Sequence, residues 1–449
     1  MRPRRVRPVR NAAAEGEQFR RRALVAALGV AAALGALALG YGRLQIQQHE
    51  EYATRSEENR IRLDPIVPAR GLVYDRNGVL LADNAPAYRL DIVPERVEDM
   101  PQLLAALRER VALSEDELRR FENARKGARR FKPIALKLRL SEEEIARLAV
   151  DRHRFPGVEV VPYLTRRYPF GELTAHIVGY VGRIDQDDVD ALEARGESRF
   201  AALPHIGKTG LERFYESRLR GDVGYQEVET NVENRPLRVL RRHDAKPGAD
   251  LHLSIDIALQ KAMVEAFEGQ HGAAVAIDPK TGEILAMVSL PSYDPNLFVG
   301  GISFNDYRRL NEDVARPLFN RNVLGGFPPG STLKPFMALA GLEEGLITPE
   351  TTVFSSGAYR LPGQAREYRD WRAGGHGTVN LRESLAQSVN TYYFDLAMKL
   401  GIDRISADFD RMGFGAPTGI DLTGEAAGVL PSREWKQRRF RQAWFPGET

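Results

Sequence analysis

The feature that most constrains this chain is a run of twenty uncharged residues, Ala23 to Gly42, built almost entirely of Ala, Leu, Val and Gly and preceded directly by Arg20-Arg21-Arg22. At about 1.5 Å rise per residue a helix of this length spans roughly 30 Å, the thickness of a bilayer's hydrocarbon layer. A core helix of a soluble protein usually keeps a polar face, which this run lacks. A cleaved signal peptide is the other alternative, with Ala36-Leu37-Ala38 as its small-residue site, but signal-peptide apolar regions run only about 7–15 residues. The run therefore reads as a retained single-pass anchor over 23–43. Residues 1–22 form a basic tail with eight arginines against Glu15 and Glu17. Such tails stay cytoplasmic, so everything after Arg43 is expected on the far side of the membrane.

Beyond the anchor the composition is that of a globular protein. Of 449 residues, 43% are hydrophobic and 28% charged, which excludes wholesale disorder, collagen and a polytopic membrane protein. At roughly 150 residues per domain the length suggests two or three folded units. The chain has no cysteine, so a disulfide scaffold, thiol catalysis and cysteine-ligated zinc or iron–sulfur sites are excluded. Lys and Arg total 64 against 61 Asp and Glu, a balance that predicts no nucleic-acid partner.

A polar amphipathic stretch, Gln45 to Arg60, leads to Arg70-Gly71-Leu72-Val73-Tyr74-Asp75-Arg76-Asn77-Gly78, where Asn-Gly between apolar runs predicts a hairpin. Ser114 with Glu117 and Ser141 with Glu144 read as capping boxes that start helices. The segment Arg241 to Asp250 reads as a linker. Ala273 to Ile277 and Ile284 to Ser289 then predict a second hairpin around Asp278-Pro279-Lys280-Thr281-Gly282, followed by helical patterns near 332–345 and 391–401. Strands followed by helices point to an α+β or α/β arrangement.

Two short motifs carry chemistry. Ser331 and Lys334 stand one helical turn apart where loop gives way to helix, so they share a face. A serine there sits at the positive end of the helix dipole, and a lysine made neutral by desolvation can serve as its base. Ser388 and Asn390 flank Val389 just before an apolar helical run. Each pair, taken alone, also reads as an ordinary helix cap; together and in this order they match a known serine acyltransferase set. Lys208-Thr209-Gly210 and Lys280-Thr281-Gly282 match that set's third element but precede Ser331, and read as turn chemistry. Asp370 and His376 fall in what reads as a polar loop, with no cysteine or histidine cluster to complete a metal site.

With anchor, hairpin unit and serine motifs in this order, the chain resembles a class B penicillin-binding protein of the elongation type. The likeness rests on Arg70 to Asn84, Gly207 to Gly221, Ala276 to Pro295, Phe327 to Pro335 and Gln387 to Phe394. Tyr368 to Trp371 and Ser432 to Lys436 favour the elongation subtype over the septal one. The resemblance implies an α+β fold: a pedestal (dimerisation) domain over 44–245, then a penicillin-binding transpeptidase domain, a sheet flanked by helices, over 246–449. It implies a peptidoglycan D,D-transpeptidase of the bacterial inner membrane with its bulk in the periplasm. Ser331 is then the nucleophile, Lys334 its base, and Ser388 and Asn390 the pair that shuttles protons and orients the peptide. Implied partners are stem peptides, β-lactams and a SEDS-type glycan polymerase with other elongation-complex proteins; no cofactor is implied.

Two departures accompany the likeness. The sequence ends at Thr449 without the family's third motif after Asn390, so it is expected to be a fragment of a longer protein or a catalytically incomplete, membrane-anchored partner of a polymerase. Some elongation-type members also carry zinc beside the active site through a cysteine inside the second motif. Here that position is Val389, so no metal is carried over.

Overall fold

The computed structural model describes residues 12–43, 61–197, 200, 203–231 and 236–449. The arginines at 2–10 and the amphipathic stretch 45–60 lie outside the described residues. Two compact units are present: residues 1–68 with 222–246, and 69–221 with 247–449.

In the first unit a continuous helix runs over Ala12–Gly42. Its Phe19–Gly42 portion, 24 residues of mean hydropathy 2.3, is exposed to its surroundings and is long and apolar enough to cross a membrane. The same unit holds a three-stranded antiparallel sheet, with Gly224–Thr230 between Ile61–Ile66 and Pro236–His243. The third strand takes in Arg241 to His243, the start of the segment read as a linker. Its register sets His243 opposite Tyr225, where the two rings stack with centroids 4.4 Å apart. Composition cannot report such a cross-strand partner, because it lies far away in sequence.

The second unit begins with the first predicted hairpin. Asp75, fully buried, accepts the N–H groups of Asn77 (2.8 Å) and Val79 (2.7 Å) on Oδ1. Gly78 takes φ +81°, and Tyr74 pairs with Leu80 across the turn. The long strand Leu80–Ile92 then pairs with Val158–Arg167 along most of its length and with Ile134–Lys137 at its end. Helices Met100–Arg108, Glu115–Gly127 and Glu142–Val150 close over that end, burying Leu90, Ile92, Leu107 and Phe121 together. Both capping boxes form as expected, Ser114 with Glu117 and Ser141 with Glu144.

A buried charge cluster ties the first hairpin to the Gly207–Gly221 stretch. Glu212, fully buried, takes Arg70 Nε on one oxygen and Arg166 Nε on the other, each at 2.6 Å. Arg70 also reaches Glu216 at 2.6 Å, and Tyr168 Oη lies 3.3 Å from Glu212. Burial pushes the Glu212 carboxyl up, but the two guanidiniums outweigh it and hold the group below its ordinary range. Nearby, Gly210 has φ +59° and packs its Cα against the backbone of Gly179 and Ile177, where a Cβ would press on both. Lys208 is occupied by ion pairs to Asp185 and Asp188. This Lys-Thr-Gly is therefore structural.

The second hairpin pairs Gly272–Ile277 with Ile284–Leu290. Lys280-Thr281-Gly282 forms its turn, with Gly282 N–H on Asp278 O (2.8 Å) and Lys280 N–H on Asp278 Oδ1 (2.8 Å). The helix Ile257–Ala266 covers this hairpin. Its Gln260 amide exchanges two 2.8 Å hydrogen bonds with the backbone of Met287. Beyond it, helices Lys334–Glu343 and Asn390–Arg411 share a core of Ala338, Ala340, Val389, Tyr392, Tyr393 and Leu396. They meet at Gly341, where an added Cβ would stand 2.8 Å from Leu396. Gly401, φ +71°, breaks the longer helix. The architecture is α+β, as the resemblance implies.

Candidate active site

Ser331 lies in a 3₁₀ turn, Gly330–Leu333, that runs directly into helix Lys334–Glu343. Gly330 enters it at φ +55°, and Pro335 fits because the first N–H groups of a helix lack intrahelical partners. The Ser331 hydroxyl caps nothing in this turn. It remains exposed, and it accepts a hydrogen bond from Ser388 Oγ at 2.9 Å.

The second motif arrives through its middle residue. Val389 is fully buried in the core the two helices share, so its polar neighbours face the other way. Ser388 bends the chain at φ +53°, a conformation unfavourable for a residue with a side chain and characteristic of functional turns. Neither Ser388 nor Asn390 acts as the helix cap that the sequence allows; the N-cap residue is Val389, with no side-chain cap. Both side chains turn instead to Lys334. Its Nζ reaches Ser388 O at 2.7 Å, Ser388 Oγ at 3.0 Å and Asn390 Oδ1 at 2.7 Å. The Tyr393 ring stands 5.6 Å away.

All four sequence-predicted residues thus converge. Ser331 and Lys334 are joined through Ser388; among the described residues no direct hydrogen bond links them. The arrangement serves two protonation states. As an ammonium, Lys334 has three N–H groups for three acceptors. As an amine, it donates to Ser388 O and Asn390 Oδ1 and takes the Ser388 proton on its lone pair, while Ser388 Oγ accepts the proton of Ser331. Reversing those donors moves one proton from Ser331 to Lys334 with no heavy atom displaced. Desolvation lowers the Lys334 pKa from its ordinary 10.5, against the opposing charge of Asp370.

Sequence reasoning placed Asp370 and His376 in a polar loop and did not connect them, or Ser355 and Thr391, with this group. Asp370, 7% exposed, accepts Thr391 N–H on Oδ2 at 3.0 Å, with Thr391 Oγ1 at 3.1 Å, and accepts Trp371 N–H on Oδ1 at 2.9 Å. Thr391 Oγ1 also lies 2.8 Å from buried Ser355 Oγ. The His376 ring, its side chain fully buried, stands 3.5 Å from Asp370 and 3.0 Å from Gln387 Oε1. Trp371 Nε1 donates to Gln387 O at 3.0 Å. What read as a polar loop brackets the second motif, with the Asp370 and His376 side chains buried and Trp371 exposed. The zinc of some elongation-type proteins does not fit here, because Val389 offers no ligand atom and is sealed in apolar core.

Fold and site together define an active-serine acyl-transfer centre of the penicillin-binding type. The chain matches the Penicillin-binding Protein dimerisation domain over residues 65–253 and the Penicillin binding protein transpeptidase domain over 272–443. It is 45% identical over 441 residues to the peptidoglycan D,D-transpeptidase MrdA of Escherichia coli K12, covering 98% of this chain and 70% of that one. The Haemophilus influenzae MrdA is likewise 45% identical, over 98% of this chain and 68% of its own length. Among solved structures, Pseudomonas aeruginosa PBP2 in complex with WCK 5153 superposes with TM-score 0.63 at 40% identity, over 86% of this chain and 65% of that one. The Helicobacter pylori complex of PBP2 with MreC gives TM-score 0.72 at 30% identity, over 86% and 72%. The chain belongs to the penicillin-binding protein family, alongside these elongation-type relatives.

Proposed function

We propose that the protein is a peptidoglycan D,D-transpeptidase of cell elongation, anchored in the inner membrane by its N-terminal helix with its bulk in the periplasm. Within it, 44–245 serves as the pedestal and 246–449 as the transpeptidase domain. The observation that carries this reading is the hydroxyl relay from Ser331 through Ser388 to Lys334. As Ser331 Oγ attacks the carbonyl of a D-Ala–D-Ala amide, its proton passes through Ser388 to the Lys334 amine, general-base work of the usual kind. The C–N bond breaks, and D-Ala leaves as an amine that takes the proton back. The acyl group stays on Ser331 as an ester. An amine of a neighbouring stem peptide then attacks the ester along the same relay, forming the cross-link and freeing Ser331. Backbone N–H groups, Ser331's included, hold the oxyanion.

A β-lactam enters at the first step and leaves an ester that is not resolved. A SEDS-type polymerase is the fitting partner for glycan supply, and an MreC-like protein a further one, since MreC binds the H. pylori relative. A fluorescent penicillin tests the reading: label attaches covalently to the protein and vanishes in Ser331→Ala. A chain that serves only as a polymerase scaffold takes no label at all.

A further inference from the structure

We infer that Asp370 is a positioning residue for this reaction: it caps the helix Asn390–Arg411 from outside, so that Ser388 and Asn390 are released from capping and held toward Lys334 by protein contacts alone. The inference rests on the acyl-serine reading above and adds residues outside the two serine motifs.

A helix N-terminus leaves backbone N–H groups without intrahelical partners, and Ser or Asn beside it ordinarily satisfies them. Here the residues of the right type decline that role, and the cap position is an apolar valine with no side-chain bond. The missing acceptor is supplied by Asp370, twenty-one positions upstream, whose Oδ2 takes Thr391 N–H at 3.0 Å. A carboxylate at this end also suits the helix dipole. Asp370 is itself held: its own N–H donates to Gly357 O at 2.9 Å, and its other oxygen takes Trp371 N–H. From the same loop, Trp371 Nε1 and the His376 ring grip the main-chain oxygen and the side-chain oxygen of Gln387. The strained Ser388 is thereby fixed on both sides, by Gln387 before it and Thr391 after it.

Asp370 acts on the relay in a second way, through charge. Among the described residues, the titratable groups facing Lys334 are Tyr393, whose hydroxyl burial keeps neutral, and Asp370, whose negative charge favours the ammonium. Geometry and charge can be separated by substitution.

The experiment measures acylation of the full-length protein by a fluorescent penicillin across pH, resolving initial binding from the acylation step, with thermal melting recorded for each variant. Asp370→Ala is expected to slow the acylation step by about 10²-fold, the scale of a misplaced reacting group, with initial binding unchanged. Asp370→Asn keeps an oxygen for Thr391 but removes the charge. Lys334 then loses its proton more readily, and the acidic limb of the rate profile moves to lower pH. Thr391→Val keeps the capped N–H but loses the Oγ1 contacts that hold Asp370 and Ser355 beside it, so it slows acylation and Thr391→Ser restores it, which keeps the test intact if Asp370→Ala does not fold. A metal chelator leaves the wild-type rate unaltered. The inference is overturned by full-rate acylation in folded Asp370→Ala or Thr391→Val, by an unmoved acidic limb in Asp370→Asn, or by chelator sensitivity. Failure of the acyl-serine reading looks different: wild type takes no label, or Ser331→Ala still does.

Discussion

Lys334 Nζ and Asn390 Oδ1 lie 2.7 Å apart, joined across fifty-six positions of sequence. That bond fixes one N–H of the lysine, so the lone pair of the neutral amine is aimed at Ser388 Oγ and not at solvent. Asn390→Ala leaves the N–H unpaired in a half-buried place, a cost of about 1–3 kcal/mol. Penicillin acylation should fall by roughly 10- to 100-fold in the folded variant. Acylation at the wild-type rate would show that the amide orients nothing.

In the proposed relay Ser388 carries the proton between nucleophile and base, so its loss should weigh more heavily. Ser388→Ala removes both the 2.9 Å bond to Ser331 and the 3.0 Å bond to Lys334. Single-turnover acylation should drop by about 10²- to 10⁴-fold, the range of general-base catalysis. A drop of less than threefold would mean that Lys334 reaches Ser331 without it.

The base must be unprotonated, which fixes the pH dependence. Desolvation sets the Lys334 pKa below 10.5 despite Asp370. Acylation should therefore climb as pH rises toward that lowered pKa and level off above it. Lys334→Arg keeps a cation at every accessible pH, so its labelling should match Ser331→Ala throughout. A wild-type rate that falls with rising pH would contradict the assignment.

The Glu212 cluster supports stability, not chemistry. Glu212→Gln leaves Arg70 and Arg166 facing a neutral group in a fully buried site, and losing one partner of such an arrangement costs about 3–5 kcal/mol. The linkage has a definite sign. Because the folded carboxyl lies below its ordinary 4.5, its contribution is complete above that value and disappears as pH falls through the folded pKa. Denaturant melts of the wild type should lose stability across that acidic window, and Glu212→Gln should lack this part of the slope.

Much of the local structure was legible because its causes are local. Asn77-Gly78 and Asp278 to Gly282 dictate their turns whatever surrounds them, and Ser114 and Ser141 meet their glutamates within one helical turn. The convergence of Ser331, Lys334, Ser388 and Asn390 was legible for a different reason, the order and spacing of two motifs. What stayed hidden depends on partners far off in the chain. Nothing near Arg70 announces Glu212, 142 positions on. Nor does anything near Thr391 announce Asp370. The sequence suggested caps at Ser388 and Asn390 because those residue types suit a helix start; tertiary contacts reassigned the capping to an aspartate and turned both side chains to another use.

The shared proton route limits how such an enzyme can escape an antibiotic. On the proposed mechanism a β-lactam opens its ring on Ser331 with the same hydroxyl and amine that the natural peptide requires. A substitution that disarms Ser388 or Lys334 would blunt the drug and halt wall synthesis together, so it gives the cell no advantage. Tolerance has to arise in residues that touch the body of the inhibitor or admit it to the cleft, where drug and peptide differ in shape.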